Sequence, residues 1–142
     1  MRFWDTSALV PLLADEPATL EAQRLYGEQP AIVWWATVVE CASAIARLER
    51  DGSLTAAQSI EAVGRLDALR TGWVEIEAGD EVREVARRML RVHPLRGADA
   101  LQLAAAWLAS ERRPASLPLV TLDERLGAAA AREGFPRVVL ES

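Results

Sequence analysis

Short apolar runs alternate along this chain with longer stretches of helical character, and that alternation limits the folds open to it. Arg2–Trp4, Ala31–Trp35, Trp73–Ile76, Leu119–Leu122 and Arg137–Leu140 read as strands. Between them, helices are expected over Ser7–Ala14, from Pro17 to about Glu28, and over Thr37–Arg50, Thr55–Arg70, Asp80–Val92, Ala98–Ser110 and Glu124–Glu133. Pro17 suits a first helical turn, Asp51-Gly52, Gly72 and Gly134 stop helices, and His93-Pro94 closes another. Apolar strands separated by helices need cover on both sheet faces. The expected fold class is therefore α/β, a three-layer α/β/α arrangement around a parallel sheet of about five strands. With 142 residues, no repeat and no long linker, residues 1–142 are expected to form a single domain.

Composition removes several kinds of chemistry. Hydrophobic residues make up 51% of the chain, enough for a packed core and too many for wholesale disorder. Cys41 is the only cysteine, which excludes an intrachain disulfide and a Cys-based zinc finger, and His93 is the only histidine. All 16 basic residues are arginine, so neither a Schiff-base lysine nor a P-loop lysine is available. A net charge of −5 argues against a broad basic surface for nucleic acid, but not against a short, metal-assisted contact. No apolar run reaches the roughly 18–20 residues of a membrane span. The opening Met1–Asp5 meets an aspartate at once, so a cytoplasmic protein is expected, with no membrane partner.

The acidic residues carry the most specific information. In an open parallel sheet, ligands bind beyond the carboxyl ends of the strands. Asp5 ends the first strand and Asp123 follows Leu119–Leu122, while Asp99 sits in the first turn of the alanine-rich helix, where the dipole favours a negative charge. Each alone reads equally as a helix cap or an Asx-turn. Three on one edge would repel one another unless a cation joined them. Glu40 is a fourth candidate: on a helical wheel it falls with Ser43, Arg47 and Arg50, opposite Val38, Ala42, Ile45 and Glu49. Periodicity leaves open whether that polar face meets water or a cleft.

These residues resemble the PIN-domain nucleases. The likeness lies in Asp5-Thr6-Ser7-Ala8-Leu9; in Glu40 within Val38–Ala44, followed by Arg47; in Gly97-Ala98-Asp99-Ala100-Leu101-Gln102-Leu103 and the three alanines after it; and in Val120-Thr121-Leu122-Asp123-Glu124-Arg125-Leu126 with the later Gly134. It spans nearly the whole chain, is weakest between Thr55 and Arg96, and is greatest to the VapC toxins of type II toxin–antitoxin pairs. The resemblance implies a metal-dependent endoribonuclease. Asp5, Glu40, Asp99 and Asp123 would be its catalytic carboxylates and its ligands for Mg²⁺ or Mn²⁺, hard cations suited to oxygen donors. Ser7 and Thr121 would steady those carboxylates, and Arg47 is the favoured RNA contact. The implied partners are an RNA substrate and a cognate antitoxin, and the apolar content of the first two helices leads to the further expectation of a homodimer.

Other features read more plainly. Arg50, Arg87, Arg88, Arg91, Arg96, Arg112 and Arg113 could contact phosphates but read mostly as solvated helix-face residues; one of Trp34 and Trp35 could stack on a base but both read better as core, Cys41 as a small core residue and His93 as a helix closer. Leu9, Leu12, Leu13, Leu20, Leu25 and Tyr26 suit either an ordinary core or an apolar groove for a partner. Two other classes of function compete. A phospho-acceptor signalling domain also gathers aspartates at strand ends, but it wants a lysine and an acidic pair after its first strand, and here only Asp5 stands there. A binding module would keep the fold without the activity, and metal-dependent RNA cleavage separates it from a nuclease.

Overall fold

Phe3 and Trp4 are neighbours on the first strand, so their side chains leave opposite faces of the sheet and enter two different cores. The computed structural model describes residues 1–140; Glu141 and Ser142, the end of the expected domain, lie outside the described residues. Five strands, β1 (Arg2–Trp4), β2 (Ala31–Trp34), β3 (Val74–Ile76), β4 (Leu119–Val120) and β5 (Arg137–Val138), pair in the order β3-β2-β1-β4-β5. Every pairing is parallel, with Phe3 opposite both Ile32 and Leu119, and Trp4 opposite Val120.

The helices are α1 (Thr6–Leu9), α2 (Thr19–Tyr26), α3 (Thr37–Arg50), α4 (Ala56–Arg70), α5 (Asp80–Val92), α6 (Gly97–Ala109) and α7 (Glu124–Glu133). On one face Phe3, Ile32, Trp34 and Leu119 pack under α5, α6 and α7 through Val82, Met89, Leu103 and Leu126. On the other, Trp4, Val33 and Val120 pack under α1 to α4 through Leu9, Leu25, Ile45 and Leu66. The result is the expected three-layer α/β/α sandwich. Among the described residues, no helix is long and apolar enough to cross a membrane.

Departures from the expected elements have local causes. The first helix does not run from Ser7 to Ala14: Pro11 cannot continue it, and Val10–Leu12 tighten into a 3₁₀ turn. The second begins at Thr19 rather than Pro17, its hydroxyl accepting the Glu16 amide at 2.8 Å and donating to the Pro11 carbonyl at 2.7 Å. Thr55 lies outside α4 as its N-cap, in a reciprocal capping box with Gln58. β2, β4 and β5 end before Trp35, Leu122 and Leu140. Beyond β4 the Leu122 amide donates to the Ser7 hydroxyl at 2.8 Å instead of to the ladder. Trp35 is not core; it is 53% exposed, whereas Trp34 is buried. α7 closes on Gly134, whose φ of +104° takes the left-handed turn that a side chain would strain.

Candidate functional site

Four of the helices that begin on the carboxyl edge of the sheet bring an acid at or near their start to one cleft. Asp5 caps α1, accepting the Ala8 amide at 3.3 Å, and Asp123 caps α7, accepting the Leu126 amide at 3.0 Å. Glu40 and Asp99 lie in the first turns of α3 and α6. The Asp5 amide donates to the Val120 carbonyl at 3.2 Å, which ties the ends of β1 and β4 side by side. All four carboxylates line one cleft of about 500 Å³, together with Thr6, Ser7, Arg47 and Gln102. Helix N-termini favour negative charge, so the fold lowers the cost of gathering these acids without removing it.

Asp5 is the centre of that cost. It is 3% exposed, and both oxygens accept short hydrogen bonds, Oδ1 from Ser7 Oγ and Oδ2 from Thr121 Oγ1, each at 2.6 Å. Burial pushes its carboxyl up to about 6, even though these hydroxyls and the backbone amides pull the other way. Thr121 Oγ1 also accepts the Asp123 amide at 3.0 Å, so one hydroxyl spaces two acids. Partial burial raises the Asp99 carboxyl and the charge of Asp123 raises it further, opposed by the Arg96 amide and the more distant Arg96 and Arg125 charges. Among the described residues, none of the four acids takes part in an ion pair.

Glu40 is held from two directions. Thr6 Oγ1 donates to its Oε1 at 2.7 Å, and Gln102 Nε2 donates to the same oxygen at 2.9 Å. The Gln102 amide also reaches Thr37 Oγ1 at 3.0 Å and Thr6 Oγ1 at 3.2 Å, while its own carbonyl oxygen is buried without a partner. Its face of α3 therefore meets a cleft, not open solvent. The stripe of α3 that enters the core is Thr37, Cys41, Ala44 and Ile45; Ala42, on the wheel's apolar side, is exposed. Thr6 and Gln102 carried no expected role. The signal was present: Gln102 is the polar interruption of an Ala/Leu run, three residues after Asp99 and so on the same helix face.

Of the remaining candidates, Arg47 stays with the acids and the others disperse. Arg47 is exposed on the cleft rim. Cys41 is buried, and its thiol is pushed up to about 12 by burial and by the charges of Glu40 and Asp5. His93 is buried at the end of α5, its Nε2 2.6 Å from Glu133 Oε2. Trp35 lines a larger hollow of about 940 Å³ with Trp73, which has no lining residue in common with the acid cleft. Leu9, Leu13 and Leu25 are core, not groove. A separate hollow of about 330 Å³ is lined by Leu12, Tyr26, Arg65 and Leu69, with Tyr26 packed edge-on against Trp4.

Among the described residues, no three acids, histidines or cysteines are drawn tightly enough to enclose a metal ion. The four carboxylates surround the cleft as an open arrangement. That suits a hard divalent cation such as Mg²⁺, which keeps several waters and takes few protein oxygens. A buried carboxylate with no cationic partner is the specific fit: Asp5 has its hydrogen bonds and lacks its charge balance.

Comparison with known proteins adds a family. The family model described as the PIN domain matches residues 2–132. No match is found among curated protein sequences. Among solved structures, the chain superimposes on a toxin–antitoxin complex from Klebsiella pneumoniae with a TM-score of 0.68 at 18% identity, covering 100% of this chain and 99% of that one. FitAcB from Neisseria gonorrhoeae gives a TM-score of 0.67 at 17% identity, covering 98% and 97%. PAE2754 from Pyrobaculum aerophilum gives 0.62 at 24%, covering 90% and 83%.

Proposed function

The chain belongs to the PIN domain family, and from that premise we propose that it is a Mg²⁺- or Mn²⁺-dependent endoribonuclease acting as the toxin of a type II toxin–antitoxin pair. The observation that carries this reading is the acid cleft: four carboxylates on four helix starts, unpaired, with Asp5 buried among them. Asp5, Asp99 and Asp123 would hold the cation, with Glu40 ligating or orienting water. Bound there, such an ion supplies Lewis acidity toward a phosphoryl oxygen and activates water for attack on phosphorus. Ser7 and Thr121 keep Asp5 oriented, and Thr121 spaces it from Asp123. Thr6 and Gln102 both donate to one oxygen of the Glu40 carboxylate and so fix its position. Arg47 on the rim offers a contact to the RNA backbone.

The toxin reading draws support from the Klebsiella neighbour, which is itself a toxin–antitoxin complex. A cytoplasmic nuclease of this kind needs an inhibitor. The hollow walled by Leu12, Tyr26 and Leu69 is the surface proposed for an antitoxin segment, and a homodimer of the one-domain chain is part of the same proposal. The test is cleavage of a labelled RNA by the purified chain with Mg²⁺ or Mn²⁺, beside an EDTA control and Asp99→Asn. Metal-dependent cutting that the variant loses supports the reading. Cutting that survives EDTA, or equal cutting by folded Asp99→Asn, rejects it. Light scattering of the chain, alone and co-expressed with its neighbouring gene product, tests the partners.

A further inference from the structure

Beside the acid cleft lies a second hollow of about 490 Å³, and the two share Asp99 and Asp123 as a common wall. Arg96 and Arg125 also line it. We propose that this hollow seats an RNA phosphate next to the one being cut, held by the guanidiniums of Arg96 and Arg125; the proposal rests on the RNA-cleaving reading above.

Both arginines stand where a cation is unfavourable. Arg96 is the N-cap of α6 and makes no capping bond, and Arg125 is in the first turn of α7. The positive end of a helix dipole repels a guanidinium and attracts an anion. Seven of the other fourteen arginines, at 2, 24, 83, 87, 88, 112 and 137, are ion-paired. Among the described residues, Arg96 and Arg125 are in no such pair, although both are close enough to act on the Asp99 charge. Glu124, the remaining acid of the hollow, is taken by Arg137 at 3.1 Å. In the metal-free protein the charge of Asp99 offsets the two arginines through space, with Asp123 beside it in the hollow. Once those carboxylates hold a divalent cation, that offset is withdrawn, and two helix starts with two guanidiniums face the hollow. A phosphodiester anion satisfies all of them, and Arg is the side chain whose planar fork matches phosphate oxygens.

The experiment measures binding, not turnover. Fluorescence anisotropy of a labelled single-stranded RNA is recorded with Ca²⁺ filling the acid site, over a range of salt, and the RNA is checked for integrity on a gel. The proteins are wild type, Arg96→Gln, Arg125→Gln, the double variant, and Arg132→Gln as a control for loss of an exposed charge elsewhere on α7. Each phosphate contact to a single strand contributes about 0.7 to the slope of log K against log salt, so the double variant is expected to lose about 1.4 and to bind every sequence more weakly. The control keeps the wild-type slope within the smaller change expected of a distant charge. Melting temperatures near wild type show that the variants are folded. A double variant indistinguishable from Arg132→Gln overturns the inference alone. A wild-type chain that neither binds RNA with Ca²⁺ nor cuts it with Mg²⁺ or Mn²⁺ overturns the nuclease reading, and this inference with it.

Discussion

Replacing Asp5 with asparagine is expected to stabilise the metal-free protein at neutral pH. The carboxyl is buried, uncompensated by any cation, and raised from the ordinary 3.8 to about 6. The folded protein therefore binds a proton at Asp5 more readily than the unfolded chain does. Stability from this group is fully present below about pH 4, declines as pH rises toward 6, and is gone above it. Lifting a carboxyl from 3.8 to about 6 corresponds to about 3 kcal/mol of destabilisation at pH 7. Asparagine keeps the size and removes the charge, and its oxygen can still accept from Ser7 Oγ and the Ala8 amide. Its amide nitrogen cannot accept from Thr121 Oγ1, so that hydroxyl must find another acceptor, a loss of about 1 kcal/mol. The net gain is about 2 kcal/mol, or about 7 °C in Tm for a chain of this length. Thermal unfolding in EDTA at pH 7.5 and pH 4 measures it. The variant should melt higher at pH 7.5, and the gap should close or reverse at pH 4. Mn²⁺ should stabilise the wild type by about 2.7 kcal/mol at a hundredfold excess over Kd, raising its Tm, and leave the variant unmoved. A variant no more stable than wild type at pH 7.5, or a gap that ignores pH, refutes the idea that Asp5 is held ionised at a cost.

Other substitutions test other contacts. Asp99→Asn is expected to remove Mn²⁺-dependent RNA cleavage while leaving the metal-free fold at least as stable, since it relieves repulsion with Asp123; cleavage and melting curves check the two halves. Gln102→Leu removes the amide that holds Glu40 and is expected to lower cleavage by about 10- to 100-fold, the usual effect of losing an outer partner of a metal ligand. Far-UV circular dichroism should be unchanged, and Gln102→Glu, which sets a carboxylate against Glu40, should be worse than leucine. Gly134→Ala forces a side chain into the φ of +104° that ends α7 and is expected to cost about 1 kcal/mol, read from denaturant unfolding. Mn²⁺ affinity, measured by calorimetry, should fall as pH drops below about 6, because the proton then competes for Asp5.

The layers of this protein were legible in the chain because strand and helix have different periods and the punctuation is chemical. Phe3 and Trp4, Val33 and Trp34, Leu119 and Val120 are adjacent pairs that must feed two cores, and Pro and Gly mark where each element stops. The strand-end position of Asp5 followed from the same reading, since a parallel sheet puts all its carboxyl ends on one edge; Asp123, expected directly after a strand over Leu119–Leu122, instead caps α7 beyond a β4 that ends at Val120. Local sequence could not say which strands are neighbours. The order β3-β2-β1-β4-β5 sets β1 beside β4, residues more than a hundred apart in the chain, and only that pairing brings Thr121 onto Asp5. Nor could a helical wheel assign the Glu40 face, because a polar stripe looks the same whether it meets water or another helix start. Gln102 decides it from the opposite layer, and its amide reaches Glu40 only because α3 and α6 begin on the same edge. The raised carboxyl of Asp5 has the same origin: its residue type is set by sequence, but its charge is costly because packing from both layers removes the water around it.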